Sequence, residues 1–92
     1  MTMPKFPLGR TVMTRGVEGA FNGDPSLVAQ LFGRHQSGDW GEVDEHDRQE
    51  NELSLREGFR LLSAYTLPNG VKVWIITEAD RSVTTALLPE EY

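Results

Sequence analysis

From Leu27 onward apolar residues recur at Leu27, Val28, Leu31 and Phe32, the three-and-four spacing of one helical face. Asp24 stands before this stripe as an N-cap type, Pro25 occupies the first helical position, and Gly38 closes the segment. The pattern predicts a helix whose apolar face is wide enough to cover a sheet. Upstream, Leu8 to Thr14 reads as a short strand, with Thr11, Val12 and Met13 supplying β propensity. Thr14 then caps a weak helical turn through Phe21, interrupted by Gly16 and Gly19 and stopped by Gly23. A third helix is expected from Asp44 to about Glu57. Its acidic first turn suits the positive end of the helix dipole, and Gly58 follows as a left-handed stop, with Phe59 expected to fold back on Leu53. This helix is polar nearly all round and is expected on the surface.

The last third alternates differently. Phe59 to Leu67 and Val71 to Glu78 flank Pro68-Asn69-Gly70, and Asn-Gly between two apolar runs signals a hairpin. A two-residue turn sets Tyr65 opposite Trp74, Ala64 opposite Ile75 and Ser63 opposite Ile76. A second turn at Asp80-Arg81 sets Ile76 opposite Thr85, Ile75 opposite Ala86 and Trp74 opposite Leu87. One face then carries Phe59, Leu61, Tyr65, Leu67, Trp74, Ile76, Val83 and Leu87, and the other Leu62, Ala64, Val73, Ile75, Ala86 and Leu88. Neither face is polar, so both require cover. The expected fold is α+β: a three- or four-stranded antiparallel sheet, ending in a β-meander, packed with two to three short helices. Only one helix has a strong apolar stripe. The second face is closed either by the weak helix around Val17, Ala20 and Phe21 together with the acidic helix, or by a partner, including a second copy in a homodimer through the sheet.

A chain of 92 residues has room for one core, so residues 8–92 are expected as one domain behind a loose lead-in at 1–7. With no cysteine there is no disulfide, no thiolate nucleophile and no Cys-ligated metal, which suits a reducing cytoplasm. Apolar runs fall far short of a membrane span and Met1 to Gly9 lacks the apolar core of a signal peptide, so a cytoplasmic protein without membrane contact is expected. The net charge of −5 argues against direct binding to a phosphate backbone. That charge is concentrated. Residues 39–57 carry Asp39, Glu42, Asp44, Glu45, Asp47, Glu50, Glu52 and Glu57 against Arg48 and Arg56, a net of −6, while 1–38 is at +2 and 58–92 at −1.

Candidate chemistry is sparse. The acidic segment contains no EF-hand spacing. His46 lies four residues before Glu50 and beside Asp47, but one histidine without a distant partner is a poor transition-metal site, and a solvated helix face is the expected role. No metal or cofactor is expected. His35, on the Leu27 and Leu31 row, is expected to pack in the core. Ser63 sits mid-strand without a nucleophile elbow, and there is no glycine-rich phosphate loop and no HExxH. Within Glu78-Ala79-Asp80-Arg81-Ser82, Asp80 is expected to bond the turn backbone, Arg81 to pair with Glu78 or Asp80, and the neighbouring threonines to form cross-strand hydroxyl pairs. Trp40, between Asp39 and Gly41, either anchors its loop on the core or meets a partner. The candidate interaction surface is therefore Asp39, Trp40, Glu42, Asp44, Glu45, Asp47 and Glu50, with Asp80 and Arg81 as a second patch.

At Gly38-Asp39-Trp40-Gly41, Asn51, Arg60 with Ser63 and Tyr65, and Trp74-Ile75-Ile76-Thr77-Glu78-Ala79-Asp80-Arg81-Ser82 through Thr84-Thr85 and Leu87-Leu88-Pro89 to Tyr92, the chain resembles a family of small bacterial plasmid-related proteins. Some of that family are labelled type I restriction modification subunits. The resemblance covers roughly residues 36–92 and implies carriage on plasmids or other mobile elements; it brings no catalytic residue with it. A DNA methyltransferase needs an Asn-Pro-Pro-aromatic motif, which is absent here. The expected function is a non-enzymatic interaction or regulatory protein with a protein partner. Two rivals are an acidic DNA mimic that inhibits a restriction or other defence complex, and a small metal-dependent hydrolase built on His46, Asp47 and Glu50.

Overall fold

The computed structural model describes residues 3–92. Strand β1 (Arg10–Met13) leads into helices α1 (Arg15–Phe21), α2 (Pro25–Gln36) and α3 (Glu45–Glu57); strands β2 (Leu61–Thr66), β3 (Lys72–Thr77) and β4 (Val83–Leu87) follow, then a 3-10 turn at Pro89–Glu91. The α+β class is as expected, but the four-stranded sheet, in the order β1-β4-β3-β2, is mixed. β2-β3-β4 is an antiparallel meander and β1 runs parallel to β4. That long-range pairing follows from no local turn signal, so an antiparallel sheet was the default expectation.

The helix ends obey their sequence signals. Thr14 Oγ1 accepts from Val17 N at the start of α1, Asp24 Oδ1 from Leu27 N at α2, and Asp44 Oδ1 from Asp47 N at α3. Gly58 closes α3 at φ +79°, a left-handed position that favours glycine. The Phe59 N–H bonds back to Ser54 O in the last turn of α3, while its side chain stays 55% exposed.

The β2–β3 register differs from expectation by one residue. Ala64 pairs with Trp74, Tyr65 with Val73 and Ser63 with Ile75. Gly70 N bonds Leu67 O and Leu67 N bonds Val71 O, so the loop has three residues, with Pro68 and Asn69 in the turn and Gly70 at φ +86°. A one-residue shift exchanges the faces of β2 relative to β3 and β4. The β3–β4 register is as expected, with Trp74 opposite Leu87, Ile75 opposite Ala86 and Ile76 opposite Thr85.

The inner face consequently gathers Tyr65, Leu67, Val73, Ile75 and Ala86 beneath Val17 and Phe21 of α1 and Leu31 and Phe32 of α2. A smaller cluster of Phe6, Trp40 and Leu61, with Val43 and Leu55 against it, continues this layer toward α3. Phe6 belongs to the stretch expected as a loose lead-in, of which residues 1 and 2 lie outside the described residues. Lys5 N bonds Gln36 O, and Gln36 Nε2 donates to Phe6 O, so this segment is tied to the end of α2.

The edge of β2 is covered twice. Gly41 forms a parallel bridge to Ala64, whose N–H donates to Trp40 O and whose carbonyl accepts from Glu42 N. Gly41 lies at φ +74°, and a Cβ there would come 2.1 Å from Ala64 O. One step along, Asn51 of α3 donates through Nδ2 to Leu62 O at 2.7 Å and accepts from Leu62 N at 3.0 Å, taking the place of a neighbouring strand.

Candidate functional site

Two sets of polar residues stand out from this scaffold, one sealed inside it and one at its surface. The buried set runs through the imidazole of His35, at 0% exposure. His35 Nδ1 is 2.5 Å from Ser63 Oγ and Nε2 is 2.8 Å from Thr77 Oγ1, which lies 2.8 Å from Thr84 Oγ1; Thr84 donates to Leu8 O at 2.6 Å. Proton accounting fixes the directions. Thr84 uses its hydrogen on a carbonyl, so it accepts from Thr77; Thr77 accepts from Nε2–H; and Nδ1 of the neutral ring accepts from Ser63. Burial, reinforced by the positive charge of Arg81, pushes the His35 pKa down to about 3.

A serine hydroxyl donating to an imidazole nitrogen has the geometry of an activated nucleophile. The local sequence gave no sign of it, because the two residues are brought together only by α2 crossing the inner sheet face. Ser63 is also at 0% exposure, and Phe6 and Trp40 pack edge-on against the ring with centroids at 5.2 and 5.8 Å. The pair is sealed in the core, with its polar side-chain atoms hydrogen-bonded. His35 thus has the packing role expected of it.

The surface set lies on the other side of the sheet. By strand alternation Val12, Leu62, Ala64, Trp74, Ile76, Val83 and Leu87 share this face; Ile76 and Leu87 are buried on it, the others are half-buried, and Tyr92 of the C-terminal turn stands edge-on to Trp74 at 5.8 Å. At the β2 edge this face opens into a cleft of about 270 Å³ where Glu42, Asp44 and Asp47 meet Leu62, Ala64, Lys72 and Trp74. The capped start of α3 and the strand-like 40–42 segment bring these three carboxylates beside an aromatic ring.

The other expected site residues are placed differently. Trp40 is 4% exposed and donates from Nε1 to Glu52 at 2.9 Å, which anchors its loop on the core. Asp39 pairs with Arg34, Nε to Oδ2 at 2.7 Å, which holds its carboxyl below the usual range. Glu45 accepts from Arg48 and Gln49 along α3, and Glu50 lies 3.6 Å from His46 Nε2, both outside the cleft. Asp80 accepts from Ser82 N and Oγ, as expected of a turn residue, and Thr77 and Thr84 form the expected hydroxyl pair. Arg81 makes no pair with Glu78 or Asp80. At φ +61° its guanidinium donates to the carbonyls of Phe59, Glu78, Ala79 and Ser54, tying the end of α3 to both neighbouring turns.

For a cation, Asp44, His46 and Asp47 offer ligand atoms within 4.8 Å of one another, a different set from the expected His46, Asp47 and Glu50. Asp44 already caps α3, and Asp44 and His46 are exposed, so ordinary helix-terminus chemistry accounts for the group. Several acids of the 39–57 segment are likewise engaged inside the protein: Asp39 with Arg34, Glu42 with Thr66, Glu45 with Arg48 and Glu52 with Trp40. No protein-family model matches the chain, and no curated protein or solved structure shows significant similarity to it. No helix among the described residues is long and apolar enough to cross a membrane.

Proposed function

We propose that this chain is a non-enzymatic protein-interaction module whose docking surface is the outer sheet face around Trp74, rimmed by Glu42, Asp44 and Asp47. The observation carrying this reading is the cleft itself, where apolar strand residues and three carboxylates converge at the protein surface. Trp74, Leu62 and Ala64 are half-buried, which leaves apolar area for a partner, and the carboxylates favour a partner bearing Lys or Arg beside apolar anchors. The absence of catalysis from the reading is supported by the burial of the Ser63–His35 pair. The resemblance to plasmid-related proteins supports a partner met in the biology of mobile DNA.

The test is quantitative capture from the native host with three baits: wild type, Trp74→Asp, and the double variant Asp44→Asn/Asp47→Lys. The reading predicts one partner lost from both variants, and weaker capture as salt rises. Equal capture by all three baits contradicts it.

A further inference from the structure

The two edges of the sheet are treated in opposite ways. β2 is closed by the 40–42 bridge and by Asn51, whereas among the described residues β1 has a neighbour on one side only, β4. Arg10 N bonds Ser82 O and Thr14 N bonds Ala86 O, so Arg10, Val12 and Thr14 direct their backbone groups inward. By alternation Thr11 and Met13 direct theirs outward, away from the sheet. Beside this bare edge, on the helix side, Met13 joins Phe21, Pro25, Val28 and Ala29 in an apolar groove of about 540 Å³. An open edge with an apolar groove next to it is what proteins ordinarily cover or charge.

We propose that a second copy of this chain pairs with β1 in antiparallel fashion about a two-fold axis through Val12, joining the two sheets into one of eight strands. The edge is self-complementary in that register. Thr11 of each copy meets Met13 of the other as a hydrogen-bonded pair, using all four outward groups on each strand, and Val12 meets its own counterpart on the outer face. The grooves of the two copies come to lie on the same side, where their apolar residues shield each other.

Charge selects this partner. The same register sets Arg10 of one copy opposite Thr14 of the other, with Cβ atoms close enough for cross-strand contact. Thr14 Oγ1 donates to Glu91 Oε1, and Glu91 also accepts from Gly16 N and Leu88 N, so a fixed carboxylate sits beside the position that Arg10 reaches. Arg10 is exposed and makes no side-chain hydrogen bond or ion pair among the described residues, so it is free for this contact, which occurs twice by symmetry. The cleft at the β2 edge is at the far side of the sheet and stays open, so the association is independent of the proposed docking function.

The experiment is sedimentation equilibrium from micromolar to near-millimolar protein, with amide hydrogen exchange at the upper end. Wild type is expected to double in mass with concentration, and the Thr11 and Met13 amides are expected to become protected as it does. Arg10→Glu, which alters no internal contact, is expected to weaken association about tenfold or more. Thr11→Pro, which removes an outward donor, is expected to do the same, and Asp47→Lys to leave association unchanged. A wild type that stays monomeric throughout overturns the proposal. So does a dimer equally strong in Arg10→Glu, or one whose Thr11 and Met13 amides remain unprotected.

Discussion

Ser63 Oγ and His35 Nδ1 stand 2.5 Å apart in the core, a β-strand hydroxyl donating to a helix-borne imidazole that cannot take up a proton at neutral pH. Because the ring is held neutral, stability depends on pH above the carboxylate range. The unfolded chain binds a proton at His35 near 6.5 and the folded protein only near 3, so stability is full above about 6.5 and declines as pH falls through this window. The decline should reach about 1 kcal/mol between pH 7 and 5.5. Urea unfolding at a series of pH values measures it, and a flat profile over that range would show that His35 is protonated in the fold. Replacing His35 by Ala leaves the Ser63 hydroxyl without its acceptor, deprives Thr77 of the donor it accepts from and opens a cavity, at a cost of about 3–5 kcal/mol.

Asn51 substitutes for a strand. Asn51→Ala leaves Leu62 N–H and C=O without their partners and should destabilise the fold by about 2 kcal/mol. Faster exchange of the Leu62 amide should accompany this loss. Asn51→Asp keeps the acceptor but sets a carboxylate against the Leu62 carbonyl, so its defect should ease in acid, where the protonated side chain donates again. An Asn51→Ala variant as stable as wild type would mean that water serves the β2 edge equally well.

Arg81 combines a left-handed backbone with a guanidinium that serves carbonyls from four residues. Arg81→Lys has too few fixed donors to replace that fork and should lower stability by about 1–2 kcal/mol. Arg81→Gly relieves the backbone but loses every side-chain bond, so it should be at least as unstable as Arg81→Lys. Thermal melts order the two; a stabilising Arg81→Gly would show that the backbone strain outweighs the bonds.

Gly41 admits no side chain. Its φ of +74° and the 2.1 Å approach of an added Cβ to Ala64 O require the bridge to β2 to break in Gly41→Ala. A loss of about 2–4 kcal/mol is expected, with Trp40 fluorescence reporting a wetter indole. An unchanged melting temperature would show that the loop moves aside without cost.

Much of this fold is legible locally. Asp24 with Pro25, and Asp44 with Gly58, mark α2 and α3 because caps are satisfied within one turn. The Asn69-Gly70 pair marks the hairpin, but Pro68 favours the first central position of a type I turn, which makes Gly70 a third loop residue and shifts the register. That single residue decides whether Trp74 lies on the Tyr65 face or opposite to it, and so which side of the sheet is open. The acidic rim was visible as charge density, yet its members differ. Glu42, Asp44 and Asp47 reach the cleft, while Glu45 and Glu50 bond along the helix and Trp40 turns inward, because α3 is held to β2 through Asn51 and only its capped start borders the cleft. The Ser63–His35 contact and the β1–β4 pairing depend on long-range packing that no short segment encodes.

The most direct test of the central claim places a photo-crosslinking residue at position 62, 74 or 47, and at position 49 on the exposed side of α3, in protein expressed in its native host. The outer-face account predicts one common adduct from 62, 74 and 47 and none from 49. No adduct from the three face positions, or the same adduct from all four, would contradict it.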